Sequence, residues 1–107
     1  MNKGFLIGNL VSDPVLNQSQ KGPWTKIRIA YDNPYSDKTD FFDIFFSGRN
    51  AEILTQYGEK GRLLSVEYRL GASVVKNGSV SYKTVDLYGV EFNFLSSVKE
   101  KSNDQEK

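Results

Sequence analysis

Residues 40–70, DFFDIFFSGRNAEILTQYGEKGRLLSVEYRL, decide how the rest of this chain is read. Phe41 to Phe46 are aromatic and β-branched types almost throughout, the composition of a strand. Asn50 to Tyr57 then places Ala51, Leu54 and Tyr57 at i, i+3 and i+6, with Ile53 beside them. That spacing predicts about two turns of helix. Ser47 or Asn50 can cap its start and Gly58 can end it. Arg62 to Leu70 is again β-like. A strand, a short helix and a strand, punctuated by Gly48, Gly58 and Gly61, suit a closed barrel whose helix plugs the gap between two strands.

Working upstream, Lys3 to Leu10 reads as a first strand, and Gly8 within it predicts a bend or a close backbone approach. Asp13-Pro14 turns the chain, because proline fixes its own φ and pushes the preceding residue out of the helical region. Val15 and Leu16 read as a brief pairing segment, and Asn17 to Gly22 as a polar loop. Trp24 to Tyr31 alternates cleanly. Thr25, Ile27 and Ile29 share one face, Trp24, Lys26 and Arg28 the other, which is the pattern of a half-buried strand. The outward face offers an aromatic and two cations to a nucleic acid, although Lys26 and Arg28 read equally well as solubilising charges, and Trp24 as a hydrophobic plug.

Asp32 to Thr39 is turn chemistry with Tyr35 at its tip. In the strand that follows, Phe42, Ile44 and Phe46 inward would leave Phe41, Asp43 and Phe45 outward, and two outward phenylalanines need a cover, either a subunit or the faces of bases. Downstream, Gly71 to Tyr82 contains Asn77-Gly78, a hairpin signal. Lys83 to Phe94 is the last strand, with Val85, Leu87 and Tyr88 assigned inward. Lys99 to Lys107 is polar and reads as a disordered tail after a domain spanning 1–98. The expectation is an all-β chain: a five-stranded OB-fold barrel with one short helix between strands 3 and 4.

Composition removes most chemistry. The 107 residues suffice for one domain and one core. No cysteine and no histidine occur, so disulfides, thiolate metal sites, nucleophile–histidine triads and most zinc sites are excluded. No acidic cluster has the spacing of a known metal loop, and no cofactor is expected. The N-terminal MNKGFLIGNL is unlike a signal peptide, no run reaches membrane-spanning length, and the expected compartment is the cytoplasm. The net charge of +1 hides an uneven distribution: residues 14 to 31 carry Lys21, Lys26 and Arg28 without an acid, and Asp32, Asp37, Asp40 and Asp43 follow.

Taken together, the order of segments resembles the bacterial and phage single-stranded DNA-binding proteins of the SSB family, over roughly residues 2 to 95. The resemblance is carried by Gly8-Asn9-Leu10 with Asp13-Pro14, by Asp40-Phe41 and its apolar run, and by Gly48-Arg49, Ala51-Glu52, Tyr57, Lys60-Gly61 and Leu63 to Leu70. It implies sequence-tolerant binding of single strands, no catalysis, and a homo-oligomer, tetramer or dimer, built through the first strand Lys3–Leu10. It also implies replication or recombination proteins as partners. Base-stacking aromatics would be Tyr35 and Phe41, outward strand contacts Arg28 and Phe45, and a helix-proximal cation Arg49. The departures matter too. Stacking or basic positions of the family fall on Ser47, Asp43, Gly71, Ser73 and Val75. Trp24, Tyr82, Lys76 and Lys83 are the residues placed to compensate, the two lysines reading equally as hairpin solubility residues. The family's acidic tail has no counterpart before the terminal QEK, which fits a shortened phage or mobile-element version. Two rivals stand beside this reading: a primosome-like adaptor that shares the barrel, and an enzyme on the same scaffold, disfavoured by the missing reactive side chains.

Overall fold

A computed structural model describes residues 1–96, so the expected tail at 99–107 lies outside the described residues. Along the chain run β1 (Gly4–Leu10), β2 (Asn17–Ser19), β3 (Gly22–Asp32), β4 (Thr39–Ser47), α1 (Gly48–Tyr57), β5 (Leu63–Asn77) and β6 (Val80–Phe94). The pairing order β1-β5-β6-β4-β3 closes on itself, because β3 returns to β1 through Asn9↔Ala30 and Leu10↔Ile29. This ring of five strands is the expected OB barrel. No helix among the described residues is long and apolar enough to cross a membrane.

The sixth strand corrects the reading of Asn17 to Gly22 as loop. Asn17, Gln18 and Ser19 pair with Trp24, Pro23 and Gly22, at the margin of the ring. Polar side chains hid this strand because backbone groups make the pairing, and the Ser19 hydroxyl stabilises the turn by donating to the Gly22 carbonyl at 3.1 Å.

Alternation along the strands builds the core. Ile27, Ile29, Ile44, Phe46, Leu64 and Val66 point into the ring, and Ala51 and Leu54 of α1 meet them as the plug. Each of these isoleucine, leucine, valine and phenylalanine side chains, fully buried, contributes roughly 1.5–3 kcal/mol. Thr25 is the one buried polar residue among the described residues, and its hydroxyl is satisfied by the Val15 carbonyl at 2.8 Å. At Gly8 the backbones approach as expected: a Cβ there would collide with the Ala30 carbonyl oxygen. Glycine is needed for that crossing of β1 over β3.

Helix α1 begins two residues earlier than its apolar pattern, at Gly48. Ser47 caps by position, without a side-chain hydrogen bond, and Asn50 instead donates to the Val90 carbonyl at 3.2 Å, tying the helix to β6. Gly58 does end the helix, in extended conformation, with its N–H on the Leu54 carbonyl at 2.8 Å.

β5 and β6 are longer than the sequence indicated, 15 residues each, and run as one antiparallel hairpin to a loop of Gly78 and Ser79. Asn77 pairs with Val80, and only Gly78 takes a positive φ, 69°. That is the II′-like pattern rather than the I′ turn that Asn-Gly favours. The outer half of this hairpin has no core beneath it, so Val85, expected inward, is exposed. Tyr88, also expected inward, faces out, because it follows inward Leu87 in a strand whose period is two.

Candidate nucleic-acid interface

The outer face of β3 and β4 is set by the register that buries their other face. Across the two strands, Trp24 stands opposite Ser47, Lys26 opposite Phe45, Arg28 opposite Asp43, and Ala30 opposite Phe41. β6 joins through Phe45↔Tyr88, and β5 adds Arg69 opposite Tyr88. The result is a row of rings, Trp24 to Phe45 at 6.2 Å and Phe45 to Tyr88 at 6.0 Å between centroids, tilted by 43° and 33°. Cations border the row: Lys26 Nζ lies 5.8 Å from the Phe45 centroid, and the Arg69 guanidinium carbon 4.7 Å from that of Tyr88.

Five of the sequence-predicted residues, Trp24, Lys26, Arg28, Phe41 and Phe45, therefore share one face. Phe41 is 57% exposed near one end of that face, and Tyr35 is 92% exposed in the loop beyond it. That loop is pinned by Asn33, which accepts from the Tyr35 N–H at 2.8 Å and donates to Asp40 at 2.9 Å. Arg49 lies in the first turn of α1, just after the opposite end of β4, with a weak contact to Glu52 at 3.4 Å. Tyr82 pairs with Val75 on the hairpin, an even number of residues from Tyr88 and Arg69 with no register shift between, so it shares their side. Lys76 and Lys83 do not join them. They pair with Ser81 and Val74 on the reverse side of the hairpin.

Electrostatics separates the cations further. Arg28 Nε and Nη2 donate to the two carboxylate oxygens of Asp43 at 2.8 and 3.2 Å, a bidentate pair. The hydrogen bonds from Arg28 hold the Asp43 carboxyl below the usual carboxylate range, and Asp43 in turn raises the Arg28 pKa. Lys26 and Arg69 have no carboxylate within ion-pairing distance among the described residues.

Two residues of this face escaped the sequence reading: Arg69 and Tyr88. Strict alternation would have turned both outward, Tyr88 from Leu87 and Arg69 from Leu64, Val66 and Tyr68, but that the two stand opposite each other depends on a register shift at Glu67/Tyr68, where β6 carries the extra residue Val90, and this leaves no mark in the sequence. With Ser47 and Gly89 as small neighbours, the rings and Arg69 bound an open groove of about 370 Å³ whose floor includes Phe46. Among the described residues no group of histidine, cysteine, aspartate or glutamate could hold a metal ion.

These features define an OB barrel with an aromatic and cationic outer face. Residues 1–95 match the family model described as the Single-strand binding protein family, and the chain belongs to that family. It is 32% identical over 102 residues to a single-stranded DNA-binding protein of Clostridium perfringens, covering 91% of this chain and 67% of that one. It is 45% identical over 74 residues to one of Thermotoga maritima, covering 62% and 52% of the two chains. The chain thus spans about half to two thirds of the length of such relatives. In fold it is similar to the yeast mitochondrial single-stranded DNA-binding protein Rim1, with a TM-score of 0.75, 23% identity and coverage of 87% and 93%. It is likewise similar to the Plasmodium falciparum SSB in complex with single-stranded DNA, with a TM-score of 0.73, 22% identity and coverage of 90% and 96%.

Proposed function

We propose that this chain is a sequence-independent single-stranded DNA-binding protein of the cytoplasm that coats and protects single strands during replication, recombination or repair. The observation that carries the reading is the outer face of a family-member barrel on which Phe41 stands exposed on the same side as Lys26, Phe45 and Trp24. Exposed rings stack on unpaired bases, and each such stack contributes about 1–3 kcal/mol. Cations displace counterions from phosphates, which makes the affinity salt-dependent. No bond is made or broken. Duplex is discriminated against because paired bases hide their faces.

Assembly follows the same reading. β1 meets β3 only at Asn9 and Leu10, so its Gly4–Gly8 edge is unpaired on that side among the described residues. Phe5 and Ile7 beside that edge are 70% and 54% exposed. An open edge with apolar neighbours suits a second copy of this strand, giving a homo-oligomer.

Fluorescence anisotropy of labelled oligo-dT against a duplex of equal length, at three salt concentrations, tests the function. Tight binding to the single strand that weakens with salt is expected. Binding no better than to duplex, even at low salt, would sink the proposal. The neutralised Arg28–Asp43 pair would then favour a protein-interaction adaptor. Phe41→Ala is expected to weaken binding at least about tenfold with folding intact, and an unchanged dissociation constant would remove Phe41 from the site.

A further inference from the structure

The outer half of β5 is an open sheet edge. β1 pairs with β5 as far as Gly4↔Tyr68, and the Asn2 side chain then ends the ladder as a strand backbone would. Its amide donates to the Leu70 carbonyl at 2.8 Å and accepts from the Leu70 N–H at 2.9 Å. Both backbone groups of Leu70 therefore point away from β6. That direction recurs at every second residue of a strand, so the N–H and C=O of Ala72, Val74 and Lys76 point the same way. Among the described residues, nothing pairs with β5 on that side beyond Asn2. Residues 72–76 hold no proline and no register shift, two devices that commonly blunt an edge, and Lys76 is their one charge. Leu70, Ala72 and Val74 are also exposed along the reverse side of the hairpin.

We infer that this edge pairs with the same edge of a second copy, antiparallel, about a two-fold axis at Val74. Charge selects both the edge and the register. Centred on Val74, the pairing sets Val74 opposite Val74 of the second copy and Lys76 opposite Ala72 of the second copy, so no like charges meet. Centred on Lys76 it would oppose two lysines, which destabilises a strand pair. The free edge of β6 has the same fault. Leu70 is paired with Leu87, so Leu87, Val85, Lys83 and Ser81 point their backbone groups away from β5, and a two-fold at the middle of that free stretch opposes Lys83 to itself. The pairing is self-complementary, as a two-fold contact requires. It also leaves Tyr82 and Tyr88 uncovered, since they lie on the other side of the hairpin from Ala72 and Val74. Residues 72–76 bury far less than the roughly 800 Å² per partner of a stable interface, so the contact acts between copies already held close.

The chain has no cysteine, so a thiol placed on the hairpin is the only one present. Two copies of Val74→Cys would stand with Cα atoms about 5.5 Å apart, within disulfide range. Val85→Cys is the control: it lies on the same side of the hairpin but on β6, and Val85 is 62% exposed against 60% for Val74. In a glutathione redox buffer at rising protein concentration, Val74→Cys is expected to form disulfide dimers well ahead of Val85→Cys. Equal yields would show random collision or packing of hairpin faces, and would overturn the edge pairing. Lys76→Pro, added to Val74→Cys, removes an N–H that faces the open edge and leaves the ladder to β6 whole. The circular dichroism spectrum should be retained while the dimer yield falls about tenfold, the worth of one hydrogen bond lost on each side of the axis. A yield unchanged by Lys76→Pro would likewise overturn the pairing.

Discussion

Asp43 lies midway along the outer face, between the Lys26–Phe45 and Ala30–Phe41 pairs, where an approaching phosphate meets a negative charge. Its carboxylate also takes the Nε and Nη2 donors of Arg28, so it offsets the charge that Arg28 would otherwise offer a polyanion. Replacing Asp43 with Asn frees Arg28 and removes the repulsion. The expected gain in single-strand affinity at moderate salt is about fivefold, the share of one added phosphate contact, with a steeper salt dependence. Anisotropy titrations of both proteins check this, and a weaker variant would show that Asp43 acts by orienting Arg28. The pair also has a pH signature. Because the folded-state pKa of Asp43 is depressed, its stabilising contribution is present above the ordinary carboxylate value and lost as pH falls through the depressed one. The contribution is small, since both partners are partly in solvent. Wild type and Asp43→Asn should differ in urea midpoint at neutral pH and converge in acid.

Among the elements, β1 serves two purposes through alternate residues. Inward, Gly8 allows the strand to cross β3 at backbone contact. Gly8→Ala forces a methyl against the Ala30 carbonyl, which cannot swing aside as a side chain would. A loss of about 1–3 kcal/mol in urea denaturation is expected, the usual range for overpacking. Outward, Phe5 and Ile7 lie beside the unpaired edge. If that edge joins copies of this chain, Ile7→Glu should yield a smaller species in sedimentation velocity with the circular dichroism spectrum retained, whereas an unchanged mass would assign assembly elsewhere. The β5–β6 hairpin behaves differently, because among the described residues its outer half has neither core nor neighbour strands. Gly78→Ala, at a φ of 69°, should cost roughly 1 kcal/mol, felt as faster amide exchange near the loop rather than as loss of the barrel.

For the whole molecule, the ring of strands makes one face possible by gathering residues far apart in the chain: Trp24, Phe45, Arg69 and Tyr88 come from four strands. Much of this was legible in the sequence. Period-2 alternation assigned Thr25, Ile27 and Ile29 inward and Lys26 and Arg28 outward, and the helix between two strands indicated a plugged barrel, because side-chain direction within one element is a local property. Which outward residues meet was not legible. The Arg28–Asp43 pair, the placing of Tyr82 apart from Lys76 and Lys83, and the groove under Arg69 all depend on which strand lies beside which and in what register. Register is decided by burying every strand's apolar face at once, and here also by a bulge at Glu67/Tyr68, neither of which can be read from a single segment. The amino-acid order by itself therefore determined the barrel, its plug and the sidedness of its strands. Only the closed ring decided which charges cancel and which rings line up, since those outcomes are set by distances between strands.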